Sequence, residues 1–392
     1  MMEDAPSPRV PLLTIAREWT RMGCIGFGGP PTHITLLRRL CVEQRKWMDE
    51  REFEDGVAAT SLLPGPASTQ LAIYCAWRLR GTVGAIIGGL CFIVPGLILI
   101  LALSVLFLER HAPEWVLGAA AGAGAAVPAV ALKAAWTLAP ASRRAAANRR
   151  AARARWISYV LVGGAVAASA GEYLVLALIA CGLLEIAARG RERRVRLGSA
   201  RVALPGVLGH IRGVGVSGVG AIGWVALKVG ALSYGGGFVI VPLMQHDVVD
   251  TYHWMSGTQF LSAVALGQLT PGPVVQTVAV VGYAAGGIGG GLLAALIVFT
   301  PSFLFVFAGA PHFDQVRENV SVQSFFRGAG PAVIGAIAGS AIPLGRSLVH
   351  VWQIPVLAGA LVLLFVLRRS VVTCLLLAGL VGLLLGLSGV SV

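Results

Sequence analysis

The chain has 392 residues, of which 56% are hydrophobic and 12% are charged, and its mean hydropathy is +0.78. This composition excludes a soluble globular protein, because several apolar runs approach the roughly 20 residues that cross a bilayer as a helix. The net charge of +13 does not indicate nucleic-acid binding, since 12 of the 31 basic residues lie in two short loops, 143–155 and 189–201. We expect both loops in the cytoplasm, where they could also contact lipid headgroups.

The first distinctive element along the chain is a run of helix-breaking residues, Gly26-Phe27-Gly28-Gly29-Pro30-Pro31. Glycine and proline interrupt helices, because glycine frees the backbone and proline lacks an N–H donor. Arg21 lies seven residues before Gly28, where it either snorkels to the membrane surface or balances the charge of a ligand. We therefore take Arg21, Gly28 and Gly29 as candidate substrate-binding residues.

A second break, Pro64-Gly65-Pro66, lies in the middle of segment 52–77. The preceding loop, 38–51, contains five basic residues and further arginines follow the segment, so both ends are expected on the cytoplasmic side. The segment then enters and leaves the membrane on one side, which predicts a re-entrant hairpin with its tip at the break. Gln70 follows the tip and could bond either to a ligand or to a neighbouring helix.

The two arginine-rich loops enclose an apolar segment, 156–188. Because both loops are expected in the cytoplasm, this segment should cross the membrane twice and turn at Gly171-Glu172. Each crossing then has about 16 residues, which is short against the roughly 20 that a spanning helix needs.

The later part of the chain repeats the first part at an offset of 207 residues. Thirteen of the 40 positions from 27 to 66 are identical to their mates, including the whole of the second break. The mates of the site candidates, the last after a one-residue slip, are Lys228, Gly235, Gly236, Pro271, Gly272, Pro273 and Gln276. A fixed offset of this kind indicates a tandem duplication.

The repeat divides the chain into four regions. They are a first repeat core (10–140), a linking region with the arginine-rich loops and a short helical hairpin (141–205), a second repeat core (217–345) and a C-terminal transmembrane hairpin (346–392). Loop 245–258 is the mate of 38–51, but it has no Lys or Arg and contains Asp247 and Asp250, which suits the outside face.

The opposite charge pattern of the two halves favours inverted repeats. We predict an all-α polytopic membrane protein of two homologous halves, with about ten crossings and two re-entrant or broken-helix hairpins. A parallel repeat with one added helix is the alternative arrangement.

Breaks at matching places in both halves are the sequence feature that marks a transport site. A helix that restarts after a break presents free N–H groups and about half a positive charge. Four such ends meeting at mid-membrane, balanced by Arg21 and Lys228, would cradle an inorganic oxyanion. A charge at Lys228 costs about 2.5–3.5 kcal/mol in the membrane, so it needs a partner or a ligand. Alternatively, the glycines allow close packing, and Gln70 and Gln276 bond between helices.

The sequence offers little support for catalysis. Its six cysteines form no CxxC or CxxH pair, which argues against a disulfide framework and a metal site. No Walker A loop is present, so we expect neither ATP hydrolysis nor a cofactor. His33 has no histidine mate, and is either a satisfied helix histidine or a proton-coupling group. A membrane-embedded reductase and an anion channel are the rival functions.

The motifs together resemble the chromate ion transporter family in its long, two-domain form, over roughly residues 10–390. In the first half, the resemblance is carried by Phe27-Gly-Gly-Pro, His33, Glu43–Trp47, Leu63–Ala72 and the helix with Pro95. In the second half, it is carried by Lys228–Gly237, Val241-Pro-Leu, Gln245, Trp254, Gly267–Pro273, Gly282-Tyr283 and Phe299–Phe303.

The resemblance implies a secondary active transporter that exports chromate across the bacterial cytoplasmic (inner) membrane and confers chromate resistance. Its partners would be the chromate or sulfate dianion and membrane lipids, with no nucleic acid and no cofactor. Sulfate is the isosteric competitor, and a transporter or channel for another inorganic oxyanion such as sulfate is the alternative. The sequence leaves a homodimer open.

Overall fold

The computed structural model describes residues 10–63, 65–108, 113–144, 150–197, 218–233, 238–309 and 319–391. These residues form α-helices joined by short π and 3-10 turns, and no strand occurs among them. The helices are α1 (Leu12–Ile25), α2 (Pro30–Arg38), α3 (Glu50–Leu62), α4 (Ala67–Leu108), α5 (Glu114–Arg144), α6 (Arg150–Ser169), α7 (Leu174–Leu197), α8 (Val219–Leu232), α9 (Ile240–Gln245), α10 (Gly257–Leu269), α11 (Thr277–Gly309), α12 (Val320–Arg346), α13 (Gln353–Leu361) and α14 (Val371–Leu387).

The backbone confirms the duplication. Helices α1 and α3 have their mates, α8 and α10, at an offset of 207 residues at both ends. The π segment that continues α2, Arg39–Gln44, has an equally exact mate in His246–Thr251, which continues α9. Lys46 and His253, the residues that close these two segments, both have a positive φ, of 49° and 52°.

Each half contains a hairpin whose tip is the proline–glycine–proline break. Helix α4 turns sharply at Gly81 (φ 60°, ψ −150°), a conformation open to glycine because it has no Cβ. Beyond the turn the helix folds back on itself, since Gly84 packs against Ala76 of the preceding segment. The segment 67–79 therefore returns from the tip, as the predicted re-entrant hairpin requires. Helix α11 repeats the turn at Gly287 (φ 63°).

The first break also joins two helical segments that pack side by side, so that their far ends contact each other. At the tip, the His33 ring lies 3.0 Å from the Gly26 carbonyl oxygen. At the open end, Arg45 donates to Glu18 at 2.7 Å, and the rings of Trp19 and Trp47 stack with centroids 6.5 Å apart. Helix α1 and the α2–π segment thus form a second hairpin in the first half, with Gly28 and Gly29 at its tip.

The two halves are inverted relative to each other. Helices α4 and α11 are mates in the repeat, and they pack antiparallel, because Gly89 lies against Phe303 while Leu101 lies against Gly291. Two helices that correspond in the repeat and pack antiparallel are related by a rotation that reverses the direction of the chain. This is the inverted-repeat arrangement that many secondary transporters share.

Five described helical spans are long and apolar enough to cross a membrane. They are Ala67–Leu108, Glu114–Arg144, Gly171–Gly190, Val274–Gly309 and Val320–Arg346, and shorter apolar helices cover Val219–Leu232, Gln353–Val366 and Val371–Leu387. The predicted turn of segment 156–188 is present as a 3-10 turn at Gly171–Tyr173. Helix α6 is less apolar than these spans, because its first turns carry arginines.

The peripheral helices cross over between the halves. Helix α14, from the end of the chain, packs on α5 of the first half, where Gly382 meets the backbone of Gly118. Helix α6 packs on α12 of the second half, where Gly163 meets the backbone of Ala332. Small residues let membrane helices approach this closely.

Candidate substrate site

The first break stops one helix and starts another. Helix α1 ends at Ile25 and α2 begins at Pro30, and between them Gly28 and Gly29 have φ values of 98° and 75°. Residues with a Cβ lose about 1–2 kcal/mol in the left-handed region. Pro30 occupies the first helical position, where no N–H donor is needed. The predicted restart of the helix is therefore present at this break.

The two later proline–glycine breaks have the same local structure. Gly65 and Gly272 have φ values of 116° and 92°, and a helical turn restarts two residues after each. Pro66, Pro271 and Pro273 are buried beside them. Pro64, Gly235 and Gly236 were also predicted to bind substrate, and they lie outside the described residues.

The described breaks of each half contact the other half. The backbone N–H of Gly272 donates to the Gly26 carbonyl at 3.1 Å, which joins the second half's break to the first half's α1. On the other side of the symmetry axis, a Cβ on Gly65 would lie 3.3 Å from the carbonyl oxygen of Gly230 on α8. The last break thus contacts the first break, and the second break contacts the end of α8.

The two predicted glutamines are fully buried at the tips. Gln276 donates one of its two Nε2 hydrogens to the Ile93 carbonyl at 2.7 Å, which is a bond between the halves. That observation favours the interhelical alternative for Gln276 Nε2. Gln70 lies against Gly65, where a Cβ would be 2.5 Å from its Nε2.

Several buried polar atoms, four of them on residues close to a break in the sequence and one on α11, have no hydrogen-bond partner within the described part of the chain. These atoms are Thr69 Oγ1, Ser233 Oγ, Gln268 Nε2, Gln276 Oε1 and Ser302 Oγ. An unpaired buried polar group costs about 1–3 kcal/mol. The sequence analysis did not single out Ser233 or Ser302 as candidate site residues. Their positions, just before the glycine run Gly235-Gly236-Gly237 and just after Pro301, were the available signal.

His33 links the first break to α4. Its side chain is fully buried, with Nε2 at 3.0 Å from the Gly26 carbonyl and Nδ1 at 3.1 Å from Ser68 Oγ. A carbonyl only accepts, so the neutral ring carries its hydrogen on Nε2 and accepts from the Ser68 hydroxyl at Nδ1. The ring also meets Phe92 edge-on, with centroids 5.0 Å apart. Both ring nitrogens are satisfied, as one of the two predicted readings requires.

The two predicted cations have different surroundings. The Arg21 side chain is 70% exposed and lies 3.9 Å from Glu18, whose other oxygen accepts from Arg45. Lys228 is 12% exposed and donates to Asp247 of the π segment after α9. The partner that Lys228 was expected to need is therefore a carboxylate of the same hairpin. Burial, and next the negative charge of Asp247, raise the pKa of Tyr252.

The described residues include no group of three or more His, Cys, Asp or Glu side chains that could hold a metal ion. The candidate site residues offer backbone N–H groups, hydroxyls, amide donors and two cations, each of which lies beside a carboxylate. Neutral and positive donors of this kind suit an anion rather than a cation.

The inverted helical repeats, the apolar spans and the converging helix breaks define a multi-pass membrane transport protein. The family model described as "Chromate transporter" matches residues 13–186 and 220–383. The chain belongs to the chromate transporter family, which is a transport family and implies an anion as substrate.

Individual relatives match over most of their length. The chromate transport protein of Cupriavidus metallidurans is 31% identical over 350 residues, which cover 88% of this chain and 86% of the relative. The chromate transport protein of Pseudomonas aeruginosa is 30% identical over 356 residues, covering 88% and 83%. An uncharacterized transporter of Methanocaldococcus jannaschii is 28% identical over 377 residues, covering 91% and 89%. No solved structure matches the chain.

Proposed function

We propose that this chain is a secondary active transporter that exports chromate across the cytoplasmic membrane of a bacterium and so confers chromate resistance. Its relatives from Cupriavidus metallidurans and Pseudomonas aeruginosa are named chromate transport proteins. The predicted site residues of both halves supply the proposed binding site, from Arg21, Gly28 and Gly29 to the turn at Pro271-Gly272-Pro273.

The observation that carries the proposal is the contact between breaks of opposite halves, together with buried donors that have no partner among the described residues. Ser233 and Ser302 are fully buried, and each has a hydroxyl without a partner among the described residues. A hydroxyl in this position can donate to an oxyanion oxygen, and hydrogen bonds to charged groups are worth about 1.5–3 kcal/mol. The cost of keeping such hydroxyls unpaired is then recovered when the substrate binds.

The membrane potential supplies enough energy for export. Moving two negative charges out of a cell that is negative inside releases about 4.6 kcal/mol per 100 mV. This is more than a hundredfold concentration ratio requires, since each factor of ten costs about 1.4 kcal/mol. The membrane potential can therefore assist the export of a dianion without ATP and without a coupled ion.

Sulfate is the second candidate substrate. Chromate and sulfate are both tetrahedral dianions, and the donors described above are backbone amides, hydroxyls and flexible cations. Such donors recognise charge and shape and do not distinguish the central atom. We therefore expect sulfate to compete with chromate for the same site.

The test is chromate uptake into everted membrane vesicles, in which export appears as uptake. We expect saturable uptake that sulfate inhibits and that an imposed membrane potential accelerates. Ser302→Ala should weaken this uptake, and Ser104→Ala is its matched control. Ser104 is an equally buried serine, but its hydroxyl is already bonded to the Ile100 carbonyl at 2.7 Å. Folded, inserted protein without uptake above empty vesicles would refute chromate as the substrate.

The same vesicles separate the proposal from its rivals. A transporter exchanges bound anions, so chromate loaded on one side should accelerate sulfate flux from the other. A channel would show flux that does not saturate and no such exchange. A reductase would convert chromate to a lower oxidation state, which the loss of its yellow absorbance would reveal in detergent solution.

A further inference from the structure

The ion pair between Lys228 and Asp247 connects α8 to the π segment after α9. These two elements are the repeat mates of α1 and of the π segment after α2. Lys228 is on α8, and Asp247 is in the π segment that continues α9. The two side chains are only 12% and 15% exposed, so solvent screens their interaction weakly. Lys228 lies on the helix that precedes the predicted site residues Gly235 and Gly236, and Asp247 belongs to loop 245–258, so the pair joins that helix to that loop.

The first half has a corresponding ion pair with the opposite order of charges. There the carboxylate of Glu18 is on the first limb, α1, and the cation Arg45 is on the second limb. The residue that corresponds to Lys228 is Arg21, which is 70% exposed and keeps 3.9 Å from Glu18. Of these two corresponding cations, Arg21 is therefore exposed, whereas Lys228 is buried and paired with the carboxylate of Asp247.

The two hairpins open toward opposite faces of the membrane. Helix α1 runs parallel to the outgoing segment of α4, since Trp19 lies beside Gly88 and Gly23 beside Phe92. By the same contacts in the second half, α8 runs parallel to α11, and α4 and α11 are antiparallel. The exposed Arg21 thus lies toward the face of basic loop 38–51, and Lys228, which is paired with Asp247, lies toward the face of loop 245–258.

We infer that Asp247 competes with the substrate for Lys228. A substrate dianion that enters from the face of loop 245–258 must then displace the Asp247 carboxylate before it can bind Lys228. This inference rests on the proposed function and adds a direction to it. An anion arriving at Arg21 meets an exposed cation, whereas one arriving at Lys228 must compete with a carboxylate held in place by the fold. Asp247 then hinders the return of exported substrate and acts as a residue that sets the direction of preferred access.

The charged and titratable neighbours of Asp247 do not replace Lys228 in this role. His246 pairs with Asp250, at 3.2 Å, on the same π segment. The 3-10 turn that packs on this segment brings Glu172, an acid, and Tyr252 follows the segment with a raised pKa that reflects burial and the charge of Asp247. Among the described neighbours, Lys228 is the cation that Asp247 contacts.

The test compares Asp247→Asn with wild type in vesicles of both orientations. We expect the KM for chromate to fall by about tenfold at the face of loop 245–258, the effect of removing about 1.4 kcal/mol of competition. The KM at the opposite face should stay within about twofold. Asp250→Asn is the matched control, since Asp250 is a more exposed aspartate of the same segment paired with His246, and it should behave as wild type.

Two further variants separate competition from a merely structural ion pair. In a Lys228→Gln background, Asp247→Asn should have no additional effect on KM. Asp247→Glu keeps the charge, so it should keep the wild-type KM even if Asp247→Asn folds poorly. An unchanged KM at both faces, an equal change at both, or an undiminished effect without Lys228 would overturn the inference.

A second readout keeps this inference distinct from the proposed function. Chromate and sulfate should raise the melting temperature of purified Asp247→Asn at lower concentrations than they do for wild type. If the wild-type protein transports neither anion but this difference is found, the proposed function fails and the competition at Lys228 stands. If transport is found without the difference in KM or in melting temperature, the competition fails and the function stands.

Discussion

Replacing Ser302 with alanine should stabilise the protein and impair transport, two effects of opposite sign from one atom. Ser302 is fully buried on α11, directly after Pro301, and its hydroxyl has no partner in the described part of the chain. Removing an unpaired buried hydroxyl eliminates a desolvation cost of about 1–3 kcal/mol. We therefore expect Ser302→Ala to melt at a higher temperature than wild type in detergent.

The transport defect follows from the same hydroxyl. A hydrogen bond to an oxyanion contributes about 1.5–3 kcal/mol, so its loss should raise the KM for chromate roughly 10- to 150-fold. The assay is initial chromate uptake into everted vesicles across a range of concentrations, with the protein quantified in each preparation. Melting is followed in parallel by fluorescence-detected gel filtration after heating.

Ser104→Ala is the control for both measurements. Ser104 lies on α4, the mate of α11, and its bonded hydroxyl faces the Ile100 carbonyl of its own helix. Its replacement should leave the KM within about twofold and should not stabilise the protein. If Ser302→Ala transports with the wild-type KM, or melts at a lower temperature than wild type, the assignment of Ser302 to the site is refuted.

Three other substitutions test the fold that builds the site. Gly272→Ala should destabilise the tip by about 1–2 kcal/mol because its φ is 92°, while Gly289→Ala, on an open helical face, should not destabilise the protein and should add up to about 1 kcal/mol of stability in the same melting assay. His33→Ala leaves the hydroxyl of Ser68 without its ring partner and should lower stability by about 1–3 kcal/mol, measured by thermal unfolding; an unchanged melting curve would contradict the described bonds. Gly382→Leu should separate α14 from α5 and lower the yield of monodisperse protein, whereas Gly359→Leu, which faces open space, should not.

The sequence revealed the breaks because their chemistry is local. Glycine pairs and proline–glycine–proline runs interrupt a helix wherever they occur, so Gly28, Gly65 and Gly272 could be placed at turns from the sequence alone. Their recurrence at one offset also predicted the duplication and, with loop charges, its inversion. The cost of a charge in the membrane likewise predicted that Lys228 needs a partner.

What the sequence did not reveal depends on contacts between distant residues. Asp247 was assigned to an outside loop, because nothing local shows that the hairpin brings it to Lys228. For Gln276 the sequence left open a bond to substrate or to a neighbouring helix, and the approach of α4 to the tip brings the Ile93 carbonyl to its Nε2. Ser302 is an ordinary serine in an apolar helix until the packing shows that its hydroxyl lacks a partner.

The crossing-over of α14 onto α5 has a consequence for how the protein is made. The glycine face of α5 is complete when residue 144 leaves the ribosome, but its partner helix ends at Leu387. At about 5–20 residues per second, translation needs roughly 10 to 50 s to bridge that gap. During this time the glycine face of α5 lacks its partner helix. The insertion machinery or lipid must therefore cover this face until α14 is inserted.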